Sequence, residues 1–381
     1  MTKETQAVIA GYVRSPFTPA FKGALANVRP DEMAGQVVKA LVERTGVDAN
    51  DIEDLLLGCA FPEGEQGLNV ARLVVFLANL PVTVAGVTVN RFCGSSMQTI
   101  HMAASNIAAG SGEVFIAAGV ESMSRVPMTG FNPLPHPELF ERYPEAYENM
   151  GITAENLAKK YKISRKDQEA FAVLSHQKAA KAQTEKHFVD EIVPIISDGK
   201  TISDDGCIRA DTTAETLAGL NPAFDMKGSV TAGTSSPLTD GAVAVLVCSE
   251  AYADKHKLKK YARIKSMAVS GCAPEIMGIG PVGATKKALK RAGLTINDID
   301  VVELNEAFAA QSIPVIKDLG IDVNKLNVDG GAIALGHPLG ASGGRITGKA
   351  ALLLSEQKKK YALATMCIGG GQGIATILEA I

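Results

Sequence analysis

Residues Lys39–Phe61 read KALVERTGVDANDIEDLLLGCAF and align without a gap with residues Lys286–Phe308, which read KKALKRAGLTINDIDVVELNEAF. Each copy has the pattern of a helix that stops at a glycine, followed by a capped turn and a short buried strand. The coinciding pairs include Arg44/Arg291, Gly46/Gly293, Asn50/Asn297, Asp51/Asp298, Ile52/Ile299, Leu57/Leu304, Ala60/Ala307 and Phe61/Phe308. This repeat predicts a duplicated α/β module.

Further matches follow the repeat in the same order along the chain. They pair Val114–Gly119 with Ala362–Cys367, an opening strand Val8–Val13 with Ala262–Val269, and a closing strand Gly241–Val247 with Gly373–Glu379. Helices that alternate with short β-branched runs favour a layered α/β fold with a sheet in each module.

A long segment interrupts the first module and has no counterpart in the second. We therefore divide the chain into a first module (residues 1–122 with 240–261), an inserted loop subdomain (123–239) and a second module (262–381). The insert holds a proline-rich loop at 126–137 and a helical pattern at 153–183. Insertions of this length commonly cover a ligand, although long loops are also tolerated without a function.

The composition is that of an ordinary globular protein of 381 residues, with 46% hydrophobic and 21% charged residues. A net charge of −3 argues against nucleic acid and anionic membranes as partners. The six cysteines have neither paired nor metal-ligand spacing, which predicts reduced thiols and no metal site. Neither a targeting segment nor a membrane span is recognisable, so we expect a cytoplasmic protein.

A cysteine lies where a predicted strand meets a predicted helix. Residues Val87–Met97 read VTVNRFCGSSM, and apolar residues continue at helical spacing up to Gly110. The unpaired N–H groups of a helix N-terminus stabilise a thiolate, so this position predicts a lowered pKa for Cys93 and a nucleophilic role. The alternative is that Cys93 is a small buried apolar residue.

Glycine clusters in the second module surround two further reactive side chains. His337 lies in GGAIALGHPLGASGG (330–344). The flanking glycines predict tight backbone bends and little side-chain cover, and Pro338 stiffens the position of the imidazole, which favours a functional role. Cys367 opens CIGGGQG (367–373), whose amides are free to bind an oxyanion. A phosphate-binding loop is less suitable here, because no helix follows. Asn305 replaces the Gly58 of the first copy, so the fold itself does not require it.

Together these segments resemble the thiolase family over essentially the whole chain. The motifs that carry the resemblance are VNRFCGSSMQ around Cys93, MGITAENLA (150–158), SVTAGTSSPLTDGA (229–242), PEIMGIGPV (274–282), NEAFAAQ (305–311), GGAIALGHPLGASG (330–343) and CIGGGQG (367–373). The resemblance implies a duplicated, layered αβαβα fold.

The resemblance also implies a role for each candidate residue. Cys93 would be the acylated nucleophile, His337 its base, and Cys367 the acid/base for the substrate α-carbon or the CoA thiol. Asn305, through a water, would join His337 in one oxyanion hole, and the N–H groups of Cys93 and Gly369 would form the other. Coenzyme A would lie near Met150, Ala232, Ser236, Met277 and Phe308.

The implied activity is cleavage of a 3-ketoacyl-CoA by CoA in fatty-acid β-oxidation, with CoA as a substrate and no cofactor. Gly-Ser-Ser-Met after Cys93 and Asn149 before Met150 favour this activity over an acetoacetyl-CoA thiolase, the main alternative. A decarboxylating condensing enzyme fits the Cys367 motif poorly, and a non-enzymatic lipid carrier would not need the complete set of reactive residues. The resemblance further implies a homodimer or homotetramer, which in some relatives docks on a β-oxidation hydratase/dehydrogenase subunit.

Overall fold

The structure is a computed structural model that describes residues 6–381. The strands are β1 (Ala7–Arg14), β2 (Thr18–Pro19), β3 (Asp54–Gly58), β4 (Ala85–Val89), β5 (Val114–Ser122), β6 (Ile195–Ser197), β7 (Lys200–Ile202), β8 (Thr239–Ser249), β9 (Ala262–Gly271), β10 (Val301–Leu304), β11 (Tyr361–Ile368) and β12 (Gln372–Glu379). The helices are α1 (Pro30–Thr45), α2 (Val70–Leu77), α3 (Ser95–Ala109), α4 (Pro137–Arg142), α5 (Met150–Tyr161), α6 (Arg165–Thr184), α7 (Ala214–Ala218), α8 (Glu250–His256), α9 (Gly280–Ala292), α10 (Ala309–Leu319), α11 (Ala332–Leu335) and α12 (Leu339–Gln357).

The strand order shows the duplication directly. The first module contributes β1-β8-β5-β3-β4, and the second repeats the order as β9-β12-β11-β10. In the first module β3 pairs with β4, whereas the corresponding edge of β10 in the second module has only a single parallel bridge, from Val302 to Leu326. The two halves meet where β1 pairs with β9 over two residues, so the sheet expected in each module is one half of a continuous ten-stranded sheet.

The aligned segments fold alike, as the repeat predicts. Helices α1 and α9 both end at a left-handed glycine, Gly46 (φ 68°) and Gly293 (φ 69°), a conformation that costs glycine nothing. A 3₁₀ turn follows in each copy, at Ala49–Asp51 and Ile296–Asp298, and leads into the buried strands β3 and β10.

Three helical layers alternate with the two halves of the sheet. Helices α1 and α2 cover the outer face of the first half, and α9 and α10 cover that of the second. Helices α3 and α12 fill the space between the halves and form the largest apolar core. This arrangement is the predicted αβαβα layering.

The backbones of α3 and α12 come unusually close. A Cβ at Gly343 would lie 2.5 Å from the Met97 backbone nitrogen, so a side chain there would force the helices apart. Glycine in α12 therefore permits the close contact of the two helices, which brings the N-terminal end of α12 next to that of α3.

The helical pattern at 153–183 forms two helices, α5 and α6, that are separated by Lys162 in the left-handed region (φ 55°). Ser164 begins α6 with a capping box to Asp167, as its sequence predicts. The insert leaves the first module, but its helices α5 and α6 pack on the second, where α6 contacts α10 and α11, and α5 contacts α10. Across residues 6–381, none of the helices has both the length and the apolar character needed to cross a bilayer.

Candidate active site

Cys93 lies in a 3₁₀ turn, Phe92–Gly94, directly before α3. Phe92 holds the left-handed conformation (φ 43°), which is rare for a bulky residue and associated with functional sites. A Cβ at Gly94 would lie 2.7 Å from Ile368 Cδ1, so glycine lets this turn pack closely against the end of β11 without moving the Ile368 side chain. The turn of the first module is thereby set against the second module.

The two candidate thiols occupy one buried region. The backbone N–H groups of Gly369 and of Cys93 itself lie close enough to the Cys93 sulfur to lower the pKa of its thiol. Cys367, on β11, is 1% exposed, and a negative charge on Cys93 raises its pKa. Each of Cys93, Cys367 and Gly369 is therefore close to another member of the predicted set.

The resting state of Cys93 differs from the sequence-based expectation. Burial raises the pKa of the Cys93 thiol to about 11, although the two N–H donors act in the opposite direction, and Glu121 raises it further. The prediction of a lowered pKa was wrong because it considered only the helix N-terminus and not the complete burial of the sulfur. Cys93 is a neutral thiol that needs a base.

His337 is a suitable base. Its Nδ1 lies 2.6 Å from Ser342 Oγ and its Nε2 lies 3.3 Å from Asn305 Nδ2. Since an amide NH₂ donates, Nε2 carries the lone pair, and Nδ1–H donates to Ser342. Burial, with a smaller contribution from Arg345, lowers the pKa of His337 to about 3, so the ring is neutral near pH 7.

Asn305 follows β10 and is fully buried. Its backbone N–H donates to the Thr365 carbonyl (3.1 Å), which places it beside β11, the strand of Cys367. Within residues 6–381 its Oδ1 has no hydrogen-bond partner, so the side chain offers a buried acceptor next to the imidazole. This placement is compatible with the predicted water-binding role.

The predicted CoA-binding residues fall into two groups. Met150, Met277 and Phe308 share one apolar cluster with Cys367. Ser236 adjoins it, because its N–H donates to the carbonyl of Ala307 (2.9 Å).

Ala232 belongs to the second group. It is exposed in a 3₁₀ turn, Ala232–Thr234, of the insert and is not part of the cluster.

The sequence reasoning missed two residues that shape the site. Ser342 lies in the glycine-rich segment of His337, and its spacing of five residues from that histidine, at a helix start, is the signal that points to it. Glu121 is a charged residue at the end of an apolar strand, a pattern that indicates a buried carboxylate with a specific partner.

The assembled groups suit acyl transfer. Two buried thiols lie close together, and the N–H groups of Gly369 and Cys93 beside the first sulfur can stabilise an oxyanion. A buried neutral imidazole, His337, can accept a proton. Across residues 6–381, no three His, Cys, Asp or Glu side chains are grouped so that they could hold a metal ion.

Comparison with known families agrees with this arrangement. The profile of the thiolase N-terminal domain matches residues 7–251, and that of the thiolase C-terminal domain matches residues 258–380. The chain belongs to the thiolase family. Similar curated thiolases include the 3-ketoacyl-CoA thiolases of Bacillus subtilis (49% identical over 98% of this chain and 99% of the relative) and Shewanella frigidimarina (51%; 99% and 100%). That of Marinomonas sp. is 52% identical, with 98% of each chain covered.

Proposed function

We propose that this thiolase cleaves 3-ketoacyl-CoA with CoA to give acetyl-CoA and an acyl-CoA shorter by two carbons. The observation that carries the proposal is the buried pair of thiols, Cys93 and Cys367, with the Gly369 N–H beside the first. The neutral His337, 3.3 Å from Asn305 Nδ2, is the base that the proposal assigns to Cys93. Support also comes from the 3-ketoacyl-CoA thiolases that are about half identical to the chain over nearly its full length.

In the first half-reaction His337 Nε2 takes the Cys93 proton, and the thiolate attacks the C3 ketone. The N–H groups of Cys93 and Gly369 stabilise the resulting oxyanion. The C2–C3 bond then breaks, its electron pair moves into the enolate of acetyl-CoA, and the Cys367 thiol protonates C2. The protonated His337 and a water held by Asn305 stabilise the enolate oxygen. Acetyl-CoA leaves, and the acyl group stays on Cys93.

In the second half-reaction the Cys367 thiolate takes the proton of the CoA thiol. The CoA sulfur attacks the acyl-Cys93 carbonyl, the thioester of Cys93 breaks, and His337 returns the proton to the Cys93 sulfur. Both cysteines end as thiols, so the cycle closes without an external acid or base. The raised pKa of each thiol suits this scheme, because each then releases its proton only to a partner placed beside it.

The test uses three cysteine variants. Cys93→Ser should lose turnover and acyl-enzyme formation. Cys367→Ala should still take an acyl label at Cys93 from acyl-CoA but lose thiolysis and the exchange of acetyl-CoA α-protons. Cys248→Ala, a buried cysteine of β8, is the control and should keep its activity. An active Cys93→Ser variant, or unchanged exchange in Cys367→Ala, would contradict the mechanism.

The substrate is tested with 3-ketoacyl-CoA compounds of increasing chain length in the thiolysis direction. We expect turnover of chains longer than four carbons. Activity confined to acetoacetyl-CoA would assign the alternative, an acetoacetyl-CoA thiolase.

We further propose that the protein is a homodimer formed through the edge strand β4. We also propose that it functions in the cytoplasm. β4 ends the strand order; Val82, just before it, and Val87, within it, are 73% and 36% exposed. Such an apolar edge favours pairing with a second copy. Light scattering on the purified protein distinguishes a dimer from a monomer or tetramer, and co-purification tests for a hydratase/dehydrogenase partner.

A further inference from the structure

Glu121, at the end of β5, is a carboxylate that is only 1% exposed. Within residues 6–381 it forms no ion pair with a lysine, arginine or histidine. A buried charge without a cation must be satisfied by hydrogen bonds. Burial accordingly raises the pKa of Glu121, and the hydrogen bonds that it accepts act in the opposite direction.

One set of these hydrogen bonds comes from the loop after β3. The carboxylate accepts the N–H groups of Ala60 (2.9 Å) and Phe61 (3.2 Å) and the side-chain amide of Gln66 (3.0 Å). This loop is joined to the segment before Cys93, because Asn90 Nδ2 donates to the Ala60 carbonyl (3.0 Å). One side of Glu121 thus holds the loop on which the Cys93 turn rests.

The other hydrogen bond comes from the second module. The N–H of Gly340, in the first turn of α12, donates to Glu121 Oε2 (2.9 Å). Pro338, the residue before α12, provides no side-chain cap, so the carboxylate of Glu121 caps this helix from the opposite module. A Cβ at Gly340 would lie 2.9 Å from Glu121 Oε2 and 2.6 Å from the Val120 carbonyl, so glycine permits this approach.

His337 stands three residues before Gly340. The same carboxylate oxygen, Oε2, therefore accepts one N–H from the loop beneath Cys93 and one from the helix turn that follows His337. We propose that Glu121 is a positioning residue, whose buried carboxylate sets the separation of the base His337 from the nucleophile Cys93 across the two modules. The inference rests on the proposed function for the roles of these two residues.

The charge of Glu121 has a second, measurable effect. It raises the pKa of the Cys93 thiol, which lies close to Cys367 on β11 and in a turn that packs against α12. Glu121→Gln removes the charge at nearly unchanged volume and turns one acceptor oxygen into an NH₂ group. An NH₂ group cannot accept the hydrogen bonds that this oxygen accepted from N–H donors, so at least one of the bonds that hold the loop or α12 to residue 121 must break.

The test compares Glu121→Gln and Glu121→Asp with the parent. In Glu121→Gln we expect kcat for thiolysis to fall about tenfold or more, with KM for both substrates within about threefold, because the buried carboxylate of Glu121 bonds only to donors of the protein itself. The pH midpoint for alkylation of Cys93, followed by peptide mass spectrometry, should move down. Glu121→Asp keeps the charge but is one methylene shorter, so its midpoint should stay near that of the parent while kcat falls. Glu113→Gln, at the opposite end of β5, is the control and should change neither.

A folded Glu121→Gln variant with kcat within about twofold of the parent would overturn the proposal. So would a loss of kcat with an unmoved alkylation midpoint, since that result indicates only a structural role. If Glu121→Gln does not fold, Glu121→Asp is the test: a fall in kcat with KM within about threefold supports the proposal, and a kcat within about twofold of the parent overturns it. A parent that cleaves no 3-ketoacyl-CoA would refute the proposed function instead, and the alkylation of Cys93 would still test the effect of Glu121.

Discussion

Ser342 provides the sharpest test of how the base is held. Its hydroxyl lies 2.6 Å from His337 Nδ1, and both side chains are buried. Removal of the hydroxyl in Ser342→Ala leaves the Nδ1–H without its acceptor. The ring then loses the partner that directs its lone pair, on Nε2, towards the reacting groups.

The magnitude follows from the charge that His337 gains during the reaction. Once Nε2 has taken the Cys93 proton, Ser342 Oγ accepts a hydrogen bond from an imidazolium, and such a bond contributes about 1.5–3 kcal/mol. Since about 1.4 kcal/mol corresponds to a tenfold change in rate, kcat should fall by about 10- to 150-fold. KM should change little, because Ser342 contacts the base and not the substrate.

The assay is steady-state thiolysis of a 3-ketoacyl-CoA, with formation of acyl-Cys93 measured separately. Thr347→Val is the matched control. It removes another buried hydroxyl of α12, which donates to the Gly343 carbonyl, and it should leave kcat within about twofold. A Ser342→Ala variant with parental kcat, or an equal loss in Thr347→Val, would refute the assignment of Ser342 as the group that orients His337.

Three further predictions concern ionisation and buried charge. Because burial raises the pKa of Cys93 to about 11, its alkylation by iodoacetamide should accelerate about tenfold per pH unit from pH 7 to 10, and a plateau near pH 8 would contradict this state of the thiol. Burial lowers the pKa of His101 to about 3 in the folded protein. The unfolded chain therefore binds a proton at this residue below about pH 6.5, whereas the folded protein does so only near pH 3, so stability falls as the pH is lowered between these two values. In denaturant titrations at several pH values, His101→Gln should reduce that slope by about 1.4 kcal/mol per pH unit, and an unchanged slope would count against it. Arg14→Met should lose about 3–5 kcal/mol in the same assay, because the buried Asp205 loses its cation and the buried Glu191 keeps only Lys349. Lys39→Met, which breaks an exposed pair with Glu43, should lose less than about 1 kcal/mol.

The duplication could be predicted because its evidence is local. Glycine stops such as Gly46 and Gly293, capped turns and short apolar strands have sequence patterns that do not depend on the rest of the fold. The junction of β1 with β9 could not be predicted, because two residue pairs between distant strands leave no periodic signal. The contacts of Glu121 were equally hidden, since Gly340 is 219 residues away in sequence.

The sequence by itself determined which reactive groups this thiolase carries and the order of its modules. Residue types define the available chemistry, and hydrophobic spacing defines the elements on which they stand. Only the tertiary structure decided the ionisation state of those groups. The position of Cys93 at a helix N-terminus predicts an acidic thiol, whereas its burial between α3, α12 and β11 raises its pKa and makes it a weak acid. Burial of His337 likewise lowers the pKa of the imidazole and keeps it neutral. The cost of desolvating a charge depends on every atom that surrounds it, and those atoms come from both modules.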